Sequence, residues 1–275
     1  MEKKFDIKNK IVLITGSTDG IGKETAYQLA KKGATIIVHG KDISKLEKTV
    51  NNIKKETGNK KIDFLKGDLS SLKEIKEMSE IIKERYEKID ILVNNAGIFS
   101  HNKKFSEDGF ELTFAVNYLS HYYLTFLLFD TIKKSPESRI INVSSMAHSS
   151  DLDLNNLQGE KNYSGYTAYS YSKLLNILFT FELAEKTKGS EITVNCLHPG
   201  VINTKLLREG WGMGGASVRE GAKTTIYLAS SDEVKGITGK YFVSSSASKP
   251  ASIAYDKDIR KKVWEKTENL LGISW

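Results

Sequence analysis

Apolar positions along this chain follow two periods in turn. Short runs rich in β-branched residues recur: IVLIT (11–15), TIIVHG (35–40), KIDFLKG (61–67), IDILVNN (89–95), RIINVSS (139–145) and EITVNCLHP (191–199). Several are apolar on both faces, as strands of a sheet covered on both sides must be. GKYFV (239–243) reads as a seventh strand. Between them lie stretches with helical spacing. One is IGKETAYQLAKKG, whose final Gly33 suits a helix C-cap. Others run around 42–57, 70–87, 110–134 and 167–188. Strand–helix alternation with right-handed crossovers predicts an α/β fold, a doubly wound, seven-stranded parallel sheet flanked by helices on both faces. No linker or internal repeat interrupts it, so one domain is expected over 1–275, with a substrate-loop region about 200–216 and a C-terminal helix about 256–271.

Composition narrows the picture. With 275 residues, 39% hydrophobic and 27% charged, the chain has enough apolar material for one packed core. Its longest apolar run, YYLTFLLF (122–129), is shorter than the roughly 18–20 residues of a membrane span. MEKKFDIKNK lacks the apolar centre of a secretory signal. A cytoplasmic protein with no membrane span is the expectation. Cys196 is the only cysteine, which excludes an intrachain disulfide and a cysteine metal site. In VNCLHPG it reads as a small buried hydrophobe. The net charge of +7 comes from lysines interleaved with glutamates on helix faces. No basic block with aromatics accompanies it, so no nucleic-acid partner is expected.

Candidate chemistry begins at TGSTDGIG (15–22), where the first strand turns into the first helix. Gly16 permits a tight turn, Gly20 lets the backbone approach a pyrophosphate, and Gly22 allows close helix packing. The helix N-terminus then offers free N–H groups and a partial positive charge to the anion. A dinucleotide-phosphate site of Rossmann type is therefore expected here. The second strand ends His39, Gly40, Lys41, with no carboxylate before Asp42. An acid there would bind the ribose diol and select NAD, whereas Lys41 can pair with a 2′-phosphate. NADP(H) is therefore expected over NAD(H), although lysine reads phosphate with less geometric specificity than arginine.

In AYSYSK (168–173) two tyrosines compete for one lysine. Residues four apart on a helix share a face, while residues two apart point roughly 200° away from each other. Tyr169 can cooperate with Lys173, and Tyr171 cannot. Carbonyl reduction needs a proton donor, and alcohol oxidation a base. Bringing a phenol from pKa near 10 to around 7 takes about 4 kcal/mol, which an ammonium about 4 Å away supplies at an effective dielectric near 20. VSS (143–145) ends the fifth strand at the ligand edge of the sheet, where a serine hydroxyl could hold a substrate oxygen. Ser144 and Ser145 point to opposite faces, and strand geometry does not choose between them.

TGSTDGIG, NNAG (94–97), the asparagine of AVNYLS, VSS, YxxxK and HPG (198–200) occur here in the order of the short-chain dehydrogenase/reductase family, and the chain resembles that family over nearly its whole length. The resemblance implies a catalytic tetrad of Asn117, Ser145, Tyr169 and Lys173. Tyr169 would be the acid/base, Ser145 would hold the substrate oxygen, Lys173 would lower the tyrosine pKa and bind the nicotinamide ribose, and Asn117 would hold a relay water. It also implies a cofactor set: Gly16, Ser17, Thr18, Asp19, Gly20, Ile21 and Gly22 of the loop, Lys41, then Asp68 and Leu69 beside the adenine. Asn94, Ala96 and Gly97 would run along the dinucleotide, with Tyr169, Lys173, Pro199, Gly200, Val201 and Thr204 at the nicotinamide end. No metal is implied.

Ser145 and Tyr169 stand 24 positions apart, about a dozen more than in many members. That insert, with LHPGVINTKL and GAKTTIYLASSDEVKGITGKYF, is similar to the branch holding retinol dehydrogenases and relatives of protochlorophyllide reductase. The branch implies an NADP-dependent carbonyl reductase or alcohol dehydrogenase acting on a lipophilic small molecule, as monomer or homodimer. Segments 98–108, 146–166 and 203–216 would wall the substrate pocket. His148 and His198 fit the branch without a catalytic assignment. A degraded tetrad would point instead to a non-catalytic dinucleotide-sensing or interaction protein; every tetrad position is filled. Nucleotide-sugar epimerases would require another glycine spacing.

Overall fold

A computed structural model describes residues 5–275; residues 1–4, at the start of MEKKFDIKNK, lie outside the described residues. The strands β1 (Ile11–Ile14), β2 (Thr35–Gly40), β3 (Ile62–Lys66), β4 (Ile91–Asn94), β5 (Arg139–Val143), β6 (Thr193–His198), β7 (Tyr241–Val243) and β8 (Ser246–Ser248) form one sheet in the order β3-β2-β1-β4-β5-β6-β7-β8. β1 to β7 are parallel. The order reverses between β1 and β4, and the crevice beyond their C-terminal ends is where such a sheet binds ligands.

Period-2 alternation divides the core. From β1, Leu13 joins one cluster and Val12 and Ile14 the other; from β4, Leu92 opposes Ile91 and Val93. Helices α1 (Gly20–Lys31) and α2 (Ile43–Thr57) cover one face, with a later helix, Val218–Ser230. α3 (Leu72–Arg85) covers the other, together with the helices at 112–133 and 165–186 and a C-terminal helix. Asp42 and Ser71 cap α2 and α3 by accepting from the third residue onward, as their positions before apolar-periodic runs dictate.

Two elements depart from expectation. The helix expected around 110–134 is interrupted: α4 (Leu112–Phe114) passes through a π turn at Ala115–Leu119 into α5 (Ser120–Lys133). A π turn changes no hydrophobic period strongly enough to read in sequence, yet such bulges gather at functional sites. The sheet also has an eighth strand, antiparallel to β7. Its residues, Ser-Ala-Ser, are all exposed, so no alternation marks it. The turn before it uses Ser244 and Ser245 at φ 48° and 62°, where Asn-Gly would be the usual signal.

Beyond these lie α6 (Gly165–Lys186), α7 (Lys205–Trp211), α8 (Val218–Ser230) and α9 (Lys257–Leu271). α9 docks through Trp264, whose ring sits 5.0 Å from Tyr122 and 5.0 Å from Trp275, with Phe179 5.0 Å from Tyr122. Cys196 is fully buried, and burial pushes its thiol up to about 12. Among the described residues no helix is long and apolar enough to cross a membrane. Because Trp264 is the main anchor of α9, Trp264→Ala should cost about 3–5 kcal/mol. Urea denaturation checks this, and an unchanged midpoint would contradict the anchoring.

Candidate active site

The glycine loop is shaped by what lies under it. Thr15 Oγ1 accepts from the backbone N–H of Asn95 (2.9 Å) and of Ala96 (3.0 Å), pinning the end of β1 to the segment after β4. Gly16 has φ +62°, and a Cβ there would stand 2.9 Å from Ala96 Cα. A Cβ on Gly22 would stand 2.5 Å from both Asn95 Nδ2 and Gly16 O, so α1 can pack this close only through glycine. The Asn95 amide in turn donates to Thr15 O at 2.8 Å. Asn95 is a site-building residue that the motif reading passed over, although NNAG contains it.

A cleft of about 750 Å³ opens over this loop and runs along the sheet edge. Gly16, Thr18, Asp19, Gly20, Ile21, Gly22, Lys41, Asp68 and Leu69 line it, as do Ala96, Gly97, Tyr169, Lys173, Pro199, Gly200, Val201 and Thr204. Two expected cofactor residues lie beneath it instead. Ser17 is fully buried, its hydroxyl donating to Ile14 O (2.7 Å) and accepting from His39 N (2.9 Å). The Asn94 amide donates to Thr125 Oγ1 (3.0 Å) and Asn142 Oδ1 (2.8 Å) inside the core. Both residues build the floor: the pleat turns Asn94 inward at the end of β4, and the turn after β1 folds Ser17 back under the loop. Asp19 caps α1 by accepting from Gly20 N at 2.7 Å. Lys41 and Asp68 face each other as an ion pair at 3.2 Å. Burial pulls the Asp68 carboxyl upward, but the Ser70 N–H and hydroxyl, with the Lys41 ammonium, hold it below its usual range.

Helix α6 presents Tyr169 and Lys173 to the cleft, both buried. Tyr171 turns the opposite way, its hydroxyl accepting from Asp153 N at 3.3 Å. The two serines separate as strand geometry requires. Ser144 donates to Lys173 O at 2.7 Å, whereas Ser145 faces the cleft beside Tyr169, its hydroxyl accepting from Ala147 N at 3.1 Å. Asn117 sits in the π turn outside the cleft lining. Its Oδ1 accepts from Ile98 N (2.8 Å), and its Nδ2 donates to Ile98 O (3.0 Å) and Ser172 Oγ (3.0 Å). Its side chain is thus committed to holding the loop after β4 against α6.

Lys173 Nζ donates to Val143 O at 3.0 Å and lies 5.5 Å from the Tyr169 ring centroid. Burial lowers Lys173 to about 8 and raises Tyr169 to about 12, the latter opposed by the Ser145 hydroxyl. In the free protein burial thus works against ionisation of both groups, and the ammonium donates to a carbonyl.

An aromatic wall closes the apolar end. Trp211 of α7 packs on Tyr169 (5.1 Å, 76°) and Phe99 (4.9 Å, 50°). The His101 ring stacks on Phe99 at 4.9 Å and bonds Glu209 O at 2.9 Å, tying α7 to the loop after β4. Met146 and Met213 complete the wall, so all three segments expected to line the pocket contribute. His148 is outside it: Nδ1 donates to Ser145 O (2.6 Å) and Nε2 accepts from Ala251 N (3.0 Å).

Residues 10–212 match the family model described as short chain dehydrogenase. The chain belongs to that family. It is 38% identical to retinol dehydrogenase 13 of Mus musculus, over 98% of this chain and 86% of that protein. Polyprenol dehydrogenase of Homo sapiens is 34% identical over 96% of this chain and 86% of that protein. Among solved structures, a Mycobacterium paratuberculosis protein superposes with TM-score 0.82 at 28% identity, over 99% of this chain and 97% of that one. An Escherichia coli CFT073 short chain dehydrogenase complexed with NADPH gives 0.73 at 23% identity, over 89% and 100%. Family membership makes the protein an oxidoreductase of the retinol-dehydrogenase-like group that binds a nicotinamide dinucleotide. The cradle fits such a group: the loop approaches the cleft through glycines, and helix α1 starts at its floor.

Burial lowers three histidines around the site, His39 and His198 to about 4 and His121 to about 3, from an ordinary 6.5. Each has a depressed folded pKa, so its contribution to stability is complete above pH 6.5 and is lost as pH falls through about 4. Thermal midpoints should decline on acidification across that window. A flat profile would contradict the neutral, buried state of these rings.

Proposed function

We propose that this enzyme is an NADP(H)-dependent carbonyl reductase or alcohol dehydrogenase for a lipophilic aldehyde, ketone or secondary alcohol. The observation that carries the reading is a buried tyrosine and a serine lining the same cleft where it joins an apolar, aromatic-walled chamber. Relatives named for retinol and polyprenol, both apolar alcohols, support the substrate class. Lys41 at the end of β2, and NADPH in the Escherichia coli complex, support the cofactor choice.

The bound dinucleotide would supply or accept the hydride at the carbonyl carbon. In reduction, Ser145 donates a hydrogen bond to the carbonyl oxygen while Tyr169 transfers its phenolic proton to that oxygen as negative charge develops. In oxidation, Tyr169 takes the proton back. Lys173 keeps a positive charge beside the tyrosine and holds the nicotinamide ribose. Asn117 acts from behind, fixing the loop after β4 and anchoring a relay water through its backbone. Lys41, now paired with Asp68, would hold the 2′-phosphate. Because NADP pools are largely reduced in the cytoplasm, where we place the protein, reduction is the working direction.

Turnover against an aldehyde and ketone panel tests the mechanism. Tyr169→Phe should lower kcat by about 10²–10⁴-fold while NADPH still binds, and turnover equal to wild type would sink the acid/base assignment. Lys41→Ala should reduce the NADPH-over-NADH preference by about tenfold, a change of ~1.4 kcal/mol. An unchanged ratio would remove Lys41 from cofactor choice.

A further inference from the structure

The last turn of β2 carries a histidine with no part in the chemistry above. The ring of His39 is 3% exposed. Its Nδ1 accepts the backbone N–H of Gly16 at 3.0 Å, and its Nε2 lies 3.1 Å from the carbonyl of Gly67. A backbone N–H can only donate and a carbonyl can only accept, so the tautomer is fixed as neutral with the proton on Nε2. The main chain of the same residue is also engaged: His39 O accepts from Ser17 N at 2.9 Å, and His39 N donates to Ser17 Oγ at 2.9 Å.

These four contacts reach every loop at the adenosine end of the cleft. Gly16 and Ser17 start the phosphate loop after β1. Gly40 and Lys41 follow His39 directly. Gly67 precedes Asp68 after β3. Gly16 shows why the contact matters, since the chain turns there at φ +62° while its N–H is held by the imidazole. Without the ring, the Gly16 N–H and the buried Gly67 carbonyl would both lose this partner, leaving the two loops held only by their remaining contacts.

We infer that His39 is a positioning residue for the dinucleotide, joining the three loops after β1, β2 and β3 into one rigid cradle for the adenosine half. The inference rests on the family's use of a nicotinamide dinucleotide in this cleft. It goes beyond the cofactor choice assigned to Lys41, because the cradle serves the parts that NADPH and NADH share. The His39 side chain hydrogen-bonds Gly16 and Gly67, not Tyr169 or Lys41. Its loss therefore weakens both dinucleotides by one factor and leaves their ratio intact. An interaction made equally in ground and transition states appears in KM and not in kcat.

The test is steady-state kinetics and fluorescence titration with NADPH and with NADH, for wild type and for His39→Ala, His39→Asn and His39→Gln, with thermal midpoints alongside. His39→Ala should raise both dissociation constants and both KM values by roughly tenfold or more, with kcat within about twofold. Asparagine places an amide oxygen near the Nδ1 position, and glutamine an amide nitrogen near Nε2. Each should recover part of the loss. Unchanged affinity in His39→Ala, a loss confined to kcat or to thermal stability, or a loss for NADPH alone would each overturn the inference. If His39→Ala does not fold, wild-type KM values in both conservative variants would overturn it equally. Failure of the wild-type protein to bind either dinucleotide would instead bring down the cofactor assignment itself, and the cradle with it.

Discussion

The arrangement of this site depends on burying an ammonium beside a phenol. Lys173 is 3% exposed and Tyr169 6%, and neither ionised form is comfortable out of water. The Lys173 ammonium has one compensating partner, the carbonyl of Val143, and burial still lowers it to about 8. Tyr169 is pushed the other way, to about 12. Resting chemistry is thereby held off: the phenol keeps its proton, ready as an acid. For it to act as a base, a further positive charge must enter the same dry space, and an oxidised nicotinamide ring carries one. Coulomb attraction that is weak in water becomes decisive at short range in such a space. On the mechanism we propose, base action in the oxidative direction is thus coupled to occupancy of the neighbouring cleft.

The same economy of contacts fixes the surroundings. The π turn places Asn117 so that its amide holds both backbone groups of Ile98 and the hydroxyl of Ser172, which binds α6 to the loop after β4. That loop carries Phe99 and His101, which hold α7 and Trp211 over Tyr169. One chain of contacts therefore runs from a helix irregularity through α6 to the aromatic wall of the cleft.

Much of this was legible in the sequence, and the reasons differ by element. The glycine loop could be read because strand, turn and helix start must coincide, and the clashes a Cβ would meet at Gly16 and Gly22 bear the reasoning out. Tyr169 could be told from Tyr171 because about 100° per residue is a property of any helix, and Tyr171 indeed turns to Asp153. Side-chain direction at strand ends could not be read. Ser17 and Asn94 carry motif identity but point into the floor, where their partners come from residues as distant as His39 and Asn142. Tertiary pairing was equally hidden: nothing local to Lys41 announces Asp68, or to His101 the carbonyl of Glu209. The eighth strand left no trace because exposed serines satisfy a strand and a loop alike.

The direct test of the central claim is the ionisation of Tyr169 itself. Phenolate absorbance can be followed from about pH 6 to about pH 10 as the difference between wild type and Tyr169→Phe, with and without NADP⁺. The account predicts no phenolate from Tyr169 across that range in the free protein, and its appearance once NADP⁺ is bound. Phenolate already present near neutrality without the dinucleotide, or none formed in its presence, would contradict it.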